Sequence, residues 1–114
     1  MKIGVVSDTH IPERAGDIPE EILRNFKGVD MIIHVGDLVD LSVLDKLKTV
    51  CHNVKAVWGN MDPYEIRKGL PEKEIIKVGN YKIGVMHGYG HPNKLIDVLS
   101  KEFKDDNVNL IIFG

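Results

Sequence analysis

The sequence predicts an α/β domain, and three observations support this prediction. Short apolar runs rich in valine and isoleucine recur along the chain, helical patterns lie between most of them, and the runs are mostly continuous rather than alternating with polar residues. Continuous runs indicate strands that are covered on both faces, as in a mostly parallel sheet flanked by helices. The length of 114 residues fits a single domain, spanning 1–114.

The strands are predicted from the apolar runs, in the order β-α-β-α-β-β-β-α-β with the helices between them. The six runs are 3–6, 31–35, 54–58, 75–78, 81–86 and 110–113. Gly79 and Asn80, between the fourth and fifth runs, predict a hairpin turn because both residues tolerate positive φ. The segment MDPYEIRKGLPEKE, residues 61–74, is predicted to be the one long loop, and long loops in compact domains are often functional.

Three helices are predicted between the strands. The first begins at Pro19 and runs to about Phe26, with acidic residues near its positive end. The second is capped by Asp40 or Ser42 and carries leucines at helical spacing. The third begins at Pro92, and its predicted apolar face consists of Leu95, Ile96, Leu99 and Phe103.

Composition and charge exclude several classes of partner. The formal net charge of -2 gives no general attraction to nucleic acid or to anionic lipid, and no basic stripe with stacking aromatics supports nucleic-acid binding. No apolar run approaches the length of a membrane span or of a signal-peptide core. The single cysteine, Cys51, suits a reducing compartment, so we expect a cytoplasmic protein.

Polar side chains follow four of the predicted strands, at the points where these strands end. They are Asp8 and His10, Asp37, Asn60, and His87. Each alone is typical of turn chemistry. Because ligands bind at the carboxyl ends of strands in open α/β sheets, these side chains are expected to converge on one rim. Two carboxylates, two imidazoles and an amide oxygen suit divalent Mn, Fe, Zn or Ni, and a carboxylate such as Asp37 can bridge two such ions about 3.5–4 Å apart.

At these residues the sequence resembles a known family. The blocks DTH, GD, GNMD and HG are similar to the successive motifs of the calcineurin-like metallophosphoesterases, and the short chain resembles their small YfcE-type archaeal and bacterial phosphodiesterases, relatives of the retromer subunit Vps29. The resemblance implies a β-sandwich of two sheets flanked by helices (α/β/β/α), with a two-metal site at the sheet rim. It places Asp8 and His10 on the first metal, Asp37 between the metals, and Asn60 and His87 on the second.

The resemblance also implies a reaction. Two divalent metal ions, with Mn²⁺ expected and Ni²⁺, Fe²⁺ or Zn²⁺ as alternatives, would hold a bridging hydroxide as the nucleophile that hydrolyses a small phosphodiester or phosphomonoester, more readily the diester. The alternative is a Vps29-like interaction scaffold that keeps the fold without catalysis.

The sequence departs from the family pattern at two places. A final Gly-His-x-His block, which gives one ligand to each metal in the family, is expected after the strand in NLIIFG, where Gly114 stands last. We therefore expect these 114 residues to be part of a longer protein, the alternative being a shortened member with an incomplete site. Sheet edges left uncovered would also permit a homodimer. The second departure is Met61, where larger members carry a histidine that helps to protonate the leaving group, so the general acid stays unassigned.

Other residues are candidates for supporting roles. His91, four residues past His87, can orient substrate or act as a general acid, and the alternative is a surface loop histidine. His34 lies within a strand and is expected to be a hydrogen-bonded core residue. Tyr64, Arg67 and Lys68 in the predicted loop are candidates to contact a phosphate, although a solvated loop face is expected.

Overall fold

The computed structural model describes residues 1–9 and 18–114. The described strands are β1 (Ile3–Val6), β2 (Met31–His34), β3 (Val54–Ala56), β4 (Lys73–Val78), β5 (Tyr81–Met86) and β6 (Leu110–Ile112). The described helices are α1 (Glu20–Asn25), α2 (Ser42–Lys48), α3 (Tyr64–Arg67) and α4 (Leu95–Glu102), the last preceded by a 3₁₀ turn at Pro92–Lys94. The predicted order of elements is confirmed, apart from α3.

The first sheet is parallel and has the order β1-β2-β3. Val5 pairs with Ile33 of β2, and Ile33 in turn pairs with Lys55 of β3. Because the three strands run in the same direction, the loops that follow them leave from one edge of the sheet. The strands end earlier than predicted, at His34 and Ala56, so that the chain has left the ladder before the polar residues are reached.

The second sheet is mixed and has the order β4-β5-β6. β4 and β5 form an antiparallel hairpin in which Val78 pairs with Tyr81, leaving Gly79 and Asn80 as its two-residue turn. The φ of +60° at Gly79 confirms the predicted turn. β5 and β6 pair in parallel, and α4 lies in the connection between them.

The two sheets pack face to face, and helices cover their outer faces. Alternate side chains of the strands divide between the layers, since successive residues of a strand point to opposite faces. Ile33 and Val85 lie in the core between the sheets, whereas Ile32 lies in the core beneath α1 and α2. This layering confirms the α/β/β/α sandwich. Val5 in β1, at the edge of the described sheet, is 46% exposed.

Helix α4 packs on the second sheet through Leu95, Leu99 and Phe103. The Phe103 ring occupies the space above Gly84, where a Cβ atom would lie 2.7 Å from a ring carbon. Ile96 was expected on this face, and that expectation was wrong: its side chain is 64% exposed. One residue after Leu95 the helix has turned by about 100°, which carries Ile96 past the sheet.

The predicted long loop at 61–74 is only partly a loop. Residues Tyr64–Arg67 form α3, and β4 begins at Lys73, two residues earlier than predicted. Pro63 precedes α3 directly with φ -72°, a value that suits the entry to a helix. Ile66 anchors the short helix in the core and is 3% exposed.

Helix α2 begins where the sequence predicted. The carboxylate oxygen Oδ1 of Asp40 accepts a hydrogen bond of 2.9 Å from the Ser42 N–H, so Asp40 satisfies one of the donors that a helix start leaves unpaired. This bond lowers the pKa of the Asp40 carboxyl. Among the described helices, none is long and apolar enough to cross a membrane.

Candidate metal centre

Four of the five predicted ligands meet at one rim of the sandwich. Ligand atoms of Asp8, Asp37 and His87 all lie within 4.8 Å of one another, and Oδ1 of Asn60 is 2.9 Å from Nε2 of His87. They follow β1, β2, β5 and β3, so each reaches the rim from a different strand end. The fifth, His10, falls in residues 10–17, outside the described part of the chain.

Both aspartates of the cluster have positive φ, 56° at Asp8 and 59° at Asp37. Aspartate is among the few residues with a side chain that enter this region with tolerable strain. The Asp8 N–H donates a hydrogen bond of 2.9 Å to the carbonyl oxygen of Gly36, which ties the loop after β1 to the loop after β2. The Ser7 hydroxyl donates to Oδ2 of Asp8 at 2.8 Å and orients that carboxylate.

Glycines at 36 and 59 allow the loops to approach closely. A Cβ atom on Gly36 would lie 2.8 Å from Nδ1 of His87, and one on Gly59 would lie 2.6 Å from the main-chain nitrogen of Asp37. Both distances are shorter than real Cβ contacts. The close packing of the polar cluster therefore requires glycine at both positions.

The imidazole of His87 is buried, with 8% of the residue exposed. Its Nδ1 lies 2.8 Å from the main-chain oxygen of Val35. On the opposite side of the ring, Nε2 faces Oδ1 of Asn60 and lies 3.3 Å from Oδ2 of Asp37. Nε2 is thus the nitrogen that points into the cluster.

Asp37 is the most buried carboxylate of the cluster, at 3% exposed. Its Oδ1 accepts a hydrogen bond of 2.7 Å from the Met61 N–H. Burial is the main cause that raises the pKa of Asp37 above its ordinary value, and the neighbouring Asp8 carboxylate raises it further; the Met61 bond and His87 oppose the shift. The causes that disfavour the charged form of Asp37 therefore outweigh those that favour it.

Asp62 lies in this site, although no role was predicted for it. It ends the GNMD block, is 3% exposed, and accepts hydrogen bonds from three main-chain N–H groups. The signal available in the sequence was an aspartate three residues after Gly59, a spacing at which its side chain can return to the turn.

The candidates for phosphate contact in α3 have local partners. Nη2 of Arg67 donates to the main-chain oxygen of Asn60 at 2.9 Å, and its Nε donates to that of Asp62 at 2.8 Å. The guanidinium also lies 4.7 Å from the centre of the Trp58 ring. Arg67 therefore holds the loop that carries Asn60. Lys68 pairs with Glu65 at 3.3 Å, and its side chain is 59% exposed.

The two remaining histidines of interest differ in burial. His91 is exposed, and its Nδ1 accepts a hydrogen bond of 3.1 Å from the Asn93 N–H at the start of the 3₁₀ turn. Its role as an acid or substrate orienter stays a prediction. His34 is 0% exposed and lies 3.1 Å from the Thr9 hydroxyl and 3.2 Å from the Gly36 nitrogen, which confirms a hydrogen-bonded core histidine.

Two recesses flank the cluster, with cavity volumes of about 240 and 210 Å³. Both are bordered by His87 and Tyr89. The first extends along Pro92 and Leu95, and the second extends past Trp58. Both recesses therefore offer space beside His87, and the first also borders Gly114.

Comparison with known proteins agrees with this geometry. The family model for the calcineurin-like phosphoesterase superfamily domain matches residues 1–114. A protein of Methanocaldococcus jannaschii named as a probable metallophosphoesterase is 42% identical over 118 residues, which cover 100% of this chain and 57% of the relative. A phosphodiesterase of the same organism is 29% identical, over 100% of this chain and 72% of that protein. The crystal structure of wild-type Vps29 from Entamoeba histolytica complexed with zinc superposes with a TM-score of 0.77 and 30% identity, covering 100% of this chain and 63% of that one.

Proposed function

The chain belongs to the calcineurin-like phosphoesterase superfamily, and from this premise we propose that it is a metal-dependent phosphodiesterase with a two-metal site. The observation that carries the proposal is the convergence of Asp8, Asp37 and His87 within 4.8 Å, with Asn60 beside them. The chain spans a little over half the length of the relative from M. jannaschii. The activity of the whole protein is therefore part of the proposal.

The donor set fits divalent cations. The Asp8 carboxylate contributes to the raised pKa of Asp37, and a cation between the two carboxylates reverses that repulsion. Carboxylate, imidazole and amide donors suit Mn²⁺, Fe²⁺, Ni²⁺ and Zn²⁺. Carried over from the family, Asp8 and His10 would hold one ion, Asn60 and His87 the other, and Asp37 both.

Bound at these residues, the cations would supply an activated water molecule and neutralise charge on the phosphoryl oxygens. The protein groups contribute orientation. Val35 fixes the His87 ring so that Nε2 faces the cluster, and Arg67 holds the main chain of Asn60. The buried walls around Asp37 lower the local dielectric and strengthen every electrostatic contact there.

We expect a higher kcat/KM for diesters than for monoesters, since one relative is named as a phosphodiesterase. The recess that extends past Trp58 provides a place beside His87 for one organic group of the ester.

The first test is Mn²⁺-dependent hydrolysis of bis-p-nitrophenyl phosphate by chelator-stripped, reconstituted protein of measured intact mass. Asp37→Asn is the test variant, and Asp105→Asn, at an exposed position in the turn after α4, is the control. We expect turnover that needs metal, drops at least about 100-fold in Asp37→Asn, and is unchanged in Asp105→Asn. No turnover with Mn²⁺, Ni²⁺, Fe²⁺ or Zn²⁺ in a folded protein that carries the Gly-His-x-His block after Gly114 would overturn the proposal.

A second candidate function is an interaction scaffold, and the similarity to Vps29 favours it. The zinc complex of that Vps29 suggests that a scaffold can keep a metal site, so metal binding alone does not separate the two functions. Binding of Zn²⁺ without turnover of any phosphoester would support the scaffold. The possible homodimer stays a prediction under either function.

A further inference from the structure

Asp62 is a buried carboxylate that is not assigned as a metal ligand. It lies two residues after Asn60, in the loop that follows β3, and is 3% exposed. Burying a carboxylate is unfavourable unless hydrogen bonds compensate it. The partners of this carboxylate therefore indicate what its burial achieves.

Main-chain N–H groups supply those hydrogen bonds. Oδ2 accepts from Gly59 at 2.8 Å and from Asp37 at 2.9 Å, and Oδ1 accepts from Val39 at 2.6 Å. Gly59 belongs to the same loop as Asp62, whereas Asp37 and Val39 belong to the loop after β2. One carboxylate thus joins the two loops that carry Asp37 and Asn60.

The loop after β2 has a conformation that needs such support. Asp37 has φ 59° and Val39 has φ 69°. A β-branched residue in this region is an outlier, because its side chain crowds its own main chain. Such strain persists only when the surrounding contacts determine the conformation, and it is concentrated at functional sites. The bond from the Val39 N–H to Asp62 is one of those contacts.

The connection is reciprocal. Asp62 holds the main chain of Asp37, while Oδ1 of Asp37 accepts from the Met61 N–H in the Asp62 loop at 2.7 Å. Each aspartate thereby fixes the loop of the other. The direction of the Asp37 carboxylate relative to Asn60 and His87 depends on this pair of contacts.

We propose that Asp62 is a positioning residue, whose carboxylate holds the loops of Asp37 and Asn60 at the separation that metal binding requires, without itself contacting metal or substrate. The inference rests on the proposed function in so far as Asp37 and Asn60 are metal ligands. Outer partners that orient ligands in this way typically contribute about 10–100-fold to metal affinity.

The test variant is Asp62→Asn, which keeps the shape of the side chain but replaces one acceptor oxygen with an amide donor. Phe103→Leu, in the core under α4, is the matched control, because it lowers stability in a cluster that contains no residue of either loop. We would measure Zn²⁺ dissociation constants by calorimetry, amide hydrogen exchange in the metal-free protein, and the Tm of each variant.

In Asp62→Asn we expect Zn²⁺ to bind about 10–100-fold more weakly. We also expect faster exchange at the amides of Asp37, Val39 and Gly59, with the amide of Ile33 in β2 unchanged. Phe103→Leu should lower the Tm and leave the Zn²⁺ dissociation constant within about twofold, since its cluster contains no residue of the two loops.

Two outcomes would overturn the proposal: a Zn²⁺ dissociation constant that is unchanged in folded Asp62→Asn, or one that is raised equally in Phe103→Leu. If Asp62→Asn fails to fold, Val39→Gly/Asp62→Asn replaces it, because glycine adopts φ 69° without strain, and its dissociation constant is compared with that of Val39→Gly. Zn²⁺ binding without turnover in the unmodified protein would overturn only the hydrolase proposal, whereas full turnover and affinity in Asp62→Asn would overturn only the positioning role.

Discussion

The imidazole Nδ1 of His87 lies 2.8 Å from the main-chain oxygen of Val35. A carbonyl oxygen can only accept, so Nδ1 must carry the proton of this hydrogen bond. A neutral ring in this state has its lone pair on Nε2, the nitrogen that faces Asn60 and Asp37. The core of the sandwich therefore selects the nitrogen of His87 that is available to a metal.

We expect Zn²⁺ to bind His87 through Nε2 and to leave the Nδ1–H in place. In long-range ¹H–¹⁵N spectra of protein with ¹⁵N-labelled histidine, the Nε2 resonance of His87 should move on addition of Zn²⁺ while Nδ1 keeps its proton. The variant His87→Gln assigns the signal, and exposed His52 serves as the histidine that should not respond. Loss of the Nδ1 proton on metal addition would contradict the assignment.

The metal-free protein should become more stable when Asp37 is replaced by asparagine. Burial and Asp8 raise the pKa of Asp37 in the folded protein above its ordinary value of 3.8, so the folded state holds that proton more tightly than the unfolded state. The free energy of unfolding then falls as pH rises through the interval between the two pKa values, and the loss is complete above the folded pKa.

Calorimetry in chelator should therefore give a higher Tm for Asp37→Asn than for the unmodified protein at pH 7. The difference should disappear below pH 3.8, where the carboxyl is neutral in both states. Asp105→Asn should show no such pH-dependent gain. A lower Tm for Asp37→Asn at pH 7 would mean that the charge of Asp37 is balanced better than its burial implies.

Binding of metal should make the unmodified protein more stable than Asp37→Asn, the reverse of the order expected in chelator. A ligand that binds only the folded state stabilises it by about 2.7 kcal/mol when present at 100 times its dissociation constant. Mn²⁺ at that concentration should raise the Tm of the unmodified protein and leave Asp37→Asn nearly unchanged. An equal rise in both proteins would place the binding site away from Asp37.

The convergence of the ligands could be predicted from the sequence, because each follows a strand and the direction of the strands determines the rim at which they meet. These residues are Asp8, Asp37, Asn60 and His87. The layers of the sandwich followed from the family resemblance. The hydrogen bonds between loops that hold the site in place could not be predicted in this way. Val39 at φ 69° contradicts the local preference of valine, and a hydrogen bond to Asp62, from a different loop, helps to stabilise it.

Gly59→Ala should weaken both the fold and the metal site. The new methyl group would lie 2.6 Å from the main-chain nitrogen of Asp37, a contact that requires the backbone to shift. We expect a loss of about 1–3 kcal/mol in the free energy of unfolding, as for other overpacked positions. We also expect a higher dissociation constant for Zn²⁺. Urea unfolding and calorimetry measure the two effects.

Gly69→Ala is the matched control for this substitution, because a Cβ atom there has its nearest neighbour at 3.8 Å. It should change stability by less than about 0.5 kcal/mol and leave metal affinity unaltered. If Gly59→Ala behaved like Gly69→Ala, the loops after β2 and β3 would be able to separate without loss of the site.

Gly84→Ala should destabilise the protein without affecting the metal site. Its methyl group would lie 2.7 Å from the Phe103 ring. This contact is on the face of the second sheet that packs against α4, not on the face that packs against the first sheet. The expected loss is again about 1–3 kcal/mol. Phe103→Leu alone should destabilise by leaving a cavity under α4, yet the same change should relieve the clash in Gly84→Ala. A double-mutant cycle by urea unfolding should therefore give a coupling energy of about 0.5–3 kcal/mol that favours the double variant. Strict additivity would show that α4 moves away from β5 as a rigid unit, and Leu95 and Leu99 would then lose their contacts with the sheet as well.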